Sequence, residues 1–489
     1  MQQSLLRYFT VTASGIICLG GIASAKPKPA KNQKESMPAA VQATGDRMNI
    51  ILFMVDDLGY ADMGYMGNKM VESPNIDNFA RNSTVFTAGY AAPESSPSRA
   101  GILTGKNPAR LHITTWIPQS PKAGKSNKAS VYNGYSMPEE SDGVALSEYL
   151  VSEALRDNGY DTWHIGKWHI GEQGNPMKQG FQCEIGYWPW SYPKSYFSPY
   201  SIPTLKDGPK GEYITDRLTA EAVDLIKNKR GDKPFFLNFW HYAVHEPLRA
   251  PDDEIDYYSR KGAPESGKNS AIFSAMKQSV DQSFGRVLEA LEQEGIADKT
   301  IVIFFSDNGG VQKHADNGPL REGKKSLYEG GIRVPLIIRD PRHNVPGRVI
   351  DTPVAYVDFY PTMLDWAGID PVTVKQHMDG SSFAPLLAGE KIADRALFWH
   401  EMGAFGHGPA TAMQKNGYKL LKFYCPKPHQ KAFELYDLSK DISENNDLSA
   451  KMPQLVAEMD KEIVQWVKDN KAQLPVKNQN QLPAKKKNK

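Results

Sequence analysis

Several polar clusters sit where apolar runs end, and their residue types limit the chemistry on offer. NIILFMVDD closes on Asp56 and Asp57, and KTIVIFFSDNGG closes on Asp307 and Asn308 before its glycines. Together these pairs present hard oxygen donors, the kind that hold calcium or magnesium; zinc asks for histidine or cysteine. Either pair alone would also suit a turn or a helix cap. A third run, KPFFLNFWHYAVHEP, ends on His241 and His245. PESSPSRAGILTG, at residues 93 to 105, is a serine-proline-arginine knot just ahead of a helix-like segment. A serine hydroxyl is a poor nucleophile until a base, a metal or chemical conversion of the residue activates it. With no G-x-S-x-G elbow in the chain, the activating partner has to be sought elsewhere.

The elements that must position these groups alternate in type. The three apolar runs have the pattern of strands buried on both faces of a parallel sheet. Helical segments at 147–158 and 215–229 lie between them, the second opening on a Thr-Asp start signal. This alternation predicts an α/β fold with a large mixed, mostly parallel central sheet flanked by helices. Polar groups at the carboxyl ends of such strands meet in one crevice, where open α/β sheets bind ligands. From about Asp370 the texture changes: RALFWHE, GYKLLKFY and FELYDL predict a small antiparallel sheet, followed by a helix around 453–470. The expected organisation is a targeting segment at 1–25, a disordered linker at 26–47, a main domain at 48–370, a C-terminal α+β subdomain at 371–475 and a basic tail at 476–489.

The order Ser95, Ser96, Pro97, Ser98, Arg99, then Ala-Gly-Ile-Leu and Thr104-Gly105, resembles the signature of the type I sulfatases of the alkaline phosphatase superfamily. That signature is Cys or Ser, any residue, Pro, any residue, Arg, then Thr-Gly after a short spacer. VDDLGY, GKWHIG at 166–171, AVHEP, and SDNGG with the downstream GKKSLYEGGIRVP keep the family's order, so the resemblance runs from Asn49 to Leu448. It implies an alkaline phosphatase-like fold and hydrolysis of sulfate esters to an alcohol and inorganic sulfate.

The same resemblance implies that Ser95 is oxidised after translation to formylglycine. Hydration of that aldehyde gives one hydroxyl to attack sulfur and a second to help release sulfate. A serine precursor calls for a radical-type maturase as partner. Asp56, Asp57, Asp307 and Asn308 align with the ligands of a divalent metal, calcium or alternatively magnesium, and residue 95 adds a further oxygen. Arg99 would hold the diol and the carboxylates on the metal side, Lys167 a sulfate oxygen, and His169 would assist the diol. His245 and Lys324 would face the bridging oxygen, and one of them would protonate the leaving alcohol. The loop REGKKS departs from the family's Arg-Gly-Gly-Lys-Gly by placing Glu322 and Lys325 where glycines are common.

His164 and His241 read as core histidines, and His314 as a substrate contact near the second metal pair. The insertion GYWPWSYPKSYFSPY, 186–200, reads either as a lid packed on its own rings or as a wall for sugar rings. In the second reading Trp188 and Trp190 bind substrate. GKNPARLHITTWIP resembles the corresponding segment of bacterial sulfatases acting on host or algal glycans, and 4- or 6-sulfated galactose or N-acetylgalactosamine is the expected sugar. Two other readings stand beside this one. A phosphomonoesterase or phosphodiesterase of the same superfamily would need zinc-binding histidines that are not found at these strand ends. An unmodified, inactive chain could still bind sulfated glycans.

Composition sets outer bounds. Across 489 residues the charges nearly cancel, to +2, which argues against a nucleic-acid footprint or a basic membrane-binding face. MQQSLLRYFTVTASGIICLGGIASA reads as a secretory signal cleaved after Ala25, and so predicts a periplasmic or secreted protein. Ile16 and Ile17 ahead of Cys18 argue against a lipoprotein, and no other run approaches the ~18 apolar residues that span a bilayer. Cys183 and Cys425 read as a pair or as two free thiols.

Overall fold

The run NIILFMV forms strand β1 (Asn49–Val55), with every residue buried. Ile50, Leu52 and Met54 enter one apolar core, and Ile51, Phe53 and Val55 another, because side chains alternate along a strand. A strand covered on both faces belongs inside a sheet. In this computed structural model, which describes residues 47–118, 130–171 and 174–478, that is where β1 lies. The described residues belong to one unit, Ala43–Lys489. The expected signal, the linker up to residue 46 and the tail beyond residue 478 lie outside them.

The central sheet adds β2 (Thr84–Phe86), β3 (Asp161–Lys167), β4 (Cys183–Trp188), β5 (Phe235–Trp240), β6 (Thr300–Ser306), β7 (Leu336–Arg339) and β8 (Val349–Ile350). Their order is β8-β2-β7-β6-β1-β5-β3-β4. From β6 to β4 the strands are parallel, whereas β7 is antiparallel to both of its neighbours. The sheet is therefore mixed and mostly parallel, as the alternation of elements predicts. Val55 is level with Ser306, so Asp56 and Asp307 leave the sheet side by side.

Helices α1 (Pro74–Arg81), α2 (Ser95–Thr104), α3 (Val151–Asp157), α4 (Ile214–Asp224), α5 (Ala271–Gln293) and α6 (Phe359–Trp366) accompany the sheet. α3 starts later than its sequence pattern suggests, where the Glu153 carboxylate accepts the Leu150 N–H at 2.9 Å. The 23-residue α5 lies in a stretch given no element above. Its Met276, Val280, Phe284, Val287 and Leu291 recur at helical spacing and cover the Phe53 side of the sheet.

The C-terminal antiparallel sheet has four strands, β9 (Leu397–Glu401), β10 (Ala410–Lys415), β11 (Tyr418–Phe423) and β12 (Phe433–Asp437), in chain order. Its two faces have different partners. Met413, Leu420 and Leu435 pack against Met459 and Ile463 of α7 (Pro453–Asp469). Trp399, Leu421, Phe423 and Tyr436 belong to the same core as Leu52, so one face of this sheet encloses a small core with α7 and the other shares the main core. Lys419 on β11 pairs with Glu329 and Glu444, each at 2.9 Å, all with fully buried side chains. Glu329 also accepts from Tyr90 at 2.9 Å and from Arg333 at 3.2 Å. Cys183 and Cys425 are both free thiols. Among the described residues no helix is long and apolar enough to cross a membrane.

Candidate active site

Four neighbouring parallel strands deliver the polar clusters to one edge. Asp56 and Asp57 follow β1, Asp307 and Asn308 follow β6, Lys167 ends β3 with His169 just beyond, and His245 follows β5. Ser95 opens α2, a helix whose ten residues are all buried. Asp57 (φ 64°) and His169 (φ 59°) hold left-handed backbone, which costs a non-glycine residue about 1–2 kcal/mol. Strain of this kind persists only where the surroundings enforce it.

The side chains converge on Ser95. Its Oγ lies 3.3 Å from Asp56 Oδ1, 3.2 Å from Asn308 Oδ1 and 3.4 Å from Lys167 Nζ. Lys167 Nζ also makes a short contact with Asp56 Oδ2. Arg99 donates to Asp307 Oδ2 from Nη2 (2.7 Å) and Nε (3.0 Å), and its guanidinium lies over Trp240. Asn308 Nδ2 donates to Asp57 Oδ1 at 2.7 Å, and Lys324 Nζ pairs with the same oxygen at 2.6 Å. His245 Nε2 stands 3.8 Å from Asp57 Oδ2. His169 Nε2 is 3.0 Å from the Ile117 carbonyl, which leaves its buried Nδ1 an acceptor without a hydrogen-bond partner among the described residues.

Charge crowding sets the protonation of these groups. Burial and the neighbouring Asp307 push the Asp56 carboxyl up to about 7. Asp57 is equally buried, but Lys324 and then His245 hold it well below the usual carboxylate range. Burial works against Asp307 too, and the Arg99 guanidinium outweighs it. Burial brings Lys167 down to about 8 in spite of Asp56. On Lys324 burial loses to Asp57, with Asp56 and Asp307 beyond it, so that ammonium is held charged. Burial, and after it Lys324, lowers His245 to about 3; burial, and after it Lys167, holds His169 far down. Both imidazoles are neutral as they stand.

A tetrahedral anion could approach Ser95 beside Lys167 and Lys324, while the His169 Nδ1 lone pair in the same pocket could accept from a hydroxyl. The family model described as Sulfatase matches residues 48–369. The chain belongs to the sulfatase family. A second model, N-sulphoglucosamine sulphohydrolase, C-terminal, matches residues 322–469. A sulfatase of Formosa agariphila is 30% identical across 96% of each chain. N-acetylgalactosamine-6-sulfatase of Homo sapiens is 31% identical across 72% of this chain and 68% of its own. The crystal structure of Ps i-CgsB in complex with k-i-k-neocarrahexaose superposes with a TM-score of 0.72 at 30% identity, covering 87% of this chain and 93% of that one. The protein is therefore a sulfuric ester hydrolase. A phosphonate monoester hydrolase of Agrobacterium radiobacter is 21% identical and shares the fold.

Above Ser95 of this sulfatase opens a cavity of about 410 Å³, whose lining includes Glu94, Trp116, His169, Tyr192, His245, Lys324 and Lys325. His314, Trp188 and Trp190 do not line it. His314 Nε2 instead pairs with Glu246 Oε1 at 2.6 Å, bracing the residue after His245. Trp188 packs at the margin of the Phe53 core with the Lys194 ammonium over its ring, and Trp190 is half-buried. The aromatic insertion reaches the cavity through Ser191 and Tyr192, whose ring stacks on His245 with centroids 6.2 Å apart. No residue pattern marks Trp116 or Tyr192 as cavity residues: Tyr192 sits inside the aromatic insertion 186–200 and Trp116 inside GKNPARLHITTWIP. His164 and His241 lie in the core, His164 bonded to Asn238 and the Gly166 carbonyl and His241 to Ser283 through Nε2, with its buried Nδ1 unpartnered among the described residues.

The donor set suits a hard divalent cation. Asp56, Asp57, Asp307, Asn308 and Ser95 can offer oxygen ligands, three of them from buried carboxylates that Lys167, Lys324 and Arg99 flank. Asp56, Asp57 and His245 also place one ligand atom each within 4.8 Å of one another. The imidazole is a softer donor on the cavity side, so the oxygen set is the better match for a hard cation.

Proposed function

We propose that this sulfatase desulfates carbohydrates, with residue 95 matured to formylglycine and calcium held by Asp56, Asp57, Asp307 and Asn308. The reading rests on one observation: the oxygen of residue 95 lies within 3.2–3.4 Å of Asp56, Asn308 and Lys167. When bound, calcium would supply positive charge that favours an ionised oxygen on residue 95. Formylglycine, once hydrated, would supply a nucleophilic hydroxyl and a second one for release of sulfate.

The rest is the work of this chain's side chains. Arg99 fixes Asp307 by two charge-assisted bonds. His169 Nδ1 has the free lone pair to take a hydroxyl proton. Lys167 and Lys324 bring positive charge to the sulfuryl oxygens as they gain negative charge. An anionic sulfate ester beside His245 favours its imidazolium, and Nε2 can then hand a proton to the leaving oxygen. His245→Gln should therefore lower kcat on sugar sulfates by about 10²–10³. The loss on 4-nitrophenyl sulfate, whose leaving group needs no proton, should be far smaller. A uniform loss would make His245 a positioning residue.

Carbohydrate as substrate is supported by the sugars in the names of the human relative and of the Ps i-CgsB complex. Trp116 and Tyr192, flat and each 39% exposed, suit the apolar faces of sugar rings. The test is sulfate release from 4- and 6-sulfated galactose and N-acetylgalactosamine by protein made with a serine-type maturase. A peptide mass showing loss of two hydrogens at Ser95 should accompany activity, and no release from either sugar would remove that assignment. Calcium has a separate readout: chelation should lower the melting temperature and calcium restore it, with about 2.7 kcal/mol of stabilisation at a hundredfold excess over Kd. A melting curve indifferent to calcium overturns the metal assignment. Export is supported by the first 25 residues, and fractionation of the native host tests it.

A further inference from the structure

We infer that Lys325 binds a second anionic group of the substrate, a sulfate or a carboxylate, beside the sulfate that is removed. The inference rests on the carbohydrate reading for its choice of glycans, but the site itself is read from geometry. Lys324 and Lys325 are consecutive and both line the cavity, yet they are not equivalent. Lys324 is committed to Asp57 at 2.6 Å, at the catalytic end. The exposed Lys325 ammonium, 5.1 Å from the ring centroid of Phe405 and 6.0 Å from that of Trp116, has no ion-pair partner among the described residues. The buried carboxylates of Glu94 and Glu401 face it at longer range, Glu94 accepting from the Trp116 N–H at 2.9 Å through one oxygen and keeping the other without a hydrogen-bond partner among the described residues.

The backbone points the same way. Lys325 has φ 71°, and its N–H donates to the Pro93 carbonyl at 2.8 Å, two residues before Ser95. Glycine would adopt that conformation without strain; a lysine does so at a cost. A side chain held in a glycine-type conformation at a cavity wall is the kind of outlier from which function is argued. A sugar against Trp116 and Tyr192 would present its other substituents to this ammonium, a mobile point charge suited to either anion.

The test compares kcat/KM on matched substrates with and without the second anion. One pair is a monosulfated and a disulfated disaccharide, with a uronate-containing disaccharide to distinguish carboxylate from sulfate. The other is 4-nitrophenyl sulfate and its ring-carboxylated analogue. Wild type should prefer the doubly anionic member of a pair. In Lys325→Met that preference should fall about tenfold, as expected for loss of one charge-assisted contact, and Lys325→Arg should retain most of it. Lys325→Gly should lose the preference too while raising the melting temperature. An unchanged preference ratio in Lys325→Met, or no preference in wild type, overturns the proposal. If no glycan is desulfated but the aryl pair behaves as expected, the carbohydrate reading fails and the anion site stands.

Discussion

Ser95→Ala is expected to abolish sulfate release, by about 10⁴-fold or more, and to leave the folded protein intact. The hydroxyl makes only long contacts, 3.2 to 3.4 Å, with Asp56, Asn308 and Lys167. Its removal should cost no more than about 1 kcal/mol of stability. The surrounding carboxylates and cations remain, so the calcium-dependent shift in melting should persist while turnover vanishes. Residual activity within a factor of about 100 of wild type would show that a group other than residue 95 attacks sulfur. Ser95→Cys, made with an oxygen-dependent maturase, should regain turnover, which an ordinary serine nucleophile has no reason to do.

The second large effect lies away from the cavity. Lys419→Met strips Glu329 and Glu444 of a buried partner and should destabilise the protein by about 3–5 kcal/mol in chemical denaturation. Burial opposes the charge on Glu329, but Lys419 and then Arg333 hold its carboxyl below the ordinary range. In wild type the Glu329 share of that pairing is fully stabilising above the unfolded glutamate pKa and is lost as pH falls through the lower folded one. At Glu444, by contrast, burial outweighs Lys419 and raises the carboxyl to about 7, so its share falls as pH rises toward that value. Without Lys419 the uncompensated glutamates gain by taking up protons. The variant's deficit should therefore be largest near neutrality and shrink toward about pH 5. A deficit below about 1 kcal/mol at neutral pH would mean that water solvates the cluster.

The catalytic edge was legible in the sequence because its residues are tied to elements with strong patterns. NIILFMV and TIVIFFS are apolar without interruption, so the carboxylates that follow had to emerge at strand ends. Their adjacency depends on β1 and β6 being neighbours in register, which no local pattern specifies. The cavity wall was harder to read. Trp188 and Trp190 are larger and more conspicuous than Tyr192, but which ring of a loop faces the substrate is set by the path of that loop. His314 lay close in sequence to Asp307, and its partner Glu246 came from a different strand end. In the C-terminal sheet, β10 (ATAMQK) has too few apolar residues to announce a strand, and its two neighbours in the sheet supply the pairing. Glu322 and Lys325 were visible as departures in the loop, and both prove to be left-handed.

The pairing of Lys419 with Glu329 also decides how this protein could exchange parts with its relatives. The C-terminal family model starts at residue 322, upstream of the end of the first model at residue 369. The structure gives the overlap a meaning: the loop bearing Glu322, Lys324, Lys325 and Glu329 is bolted to β11 although it lies between β6 and β7 of the catalytic sheet in the chain. A chimera cut near residue 370 would set a foreign residue in the place of Lys419 against the resident Glu329. A cut before residue 322 would keep Glu329, Arg333, Lys419 and Glu444 together with Lys324 and Lys325, but it would carry β7 and β8 with them and leave Tyr90 behind. The C-terminal sheet and the Lys324–Lys325 side of the pocket are therefore inherited best together, and a recombination that changes one has to keep the fit of both to Tyr90 and Pro93.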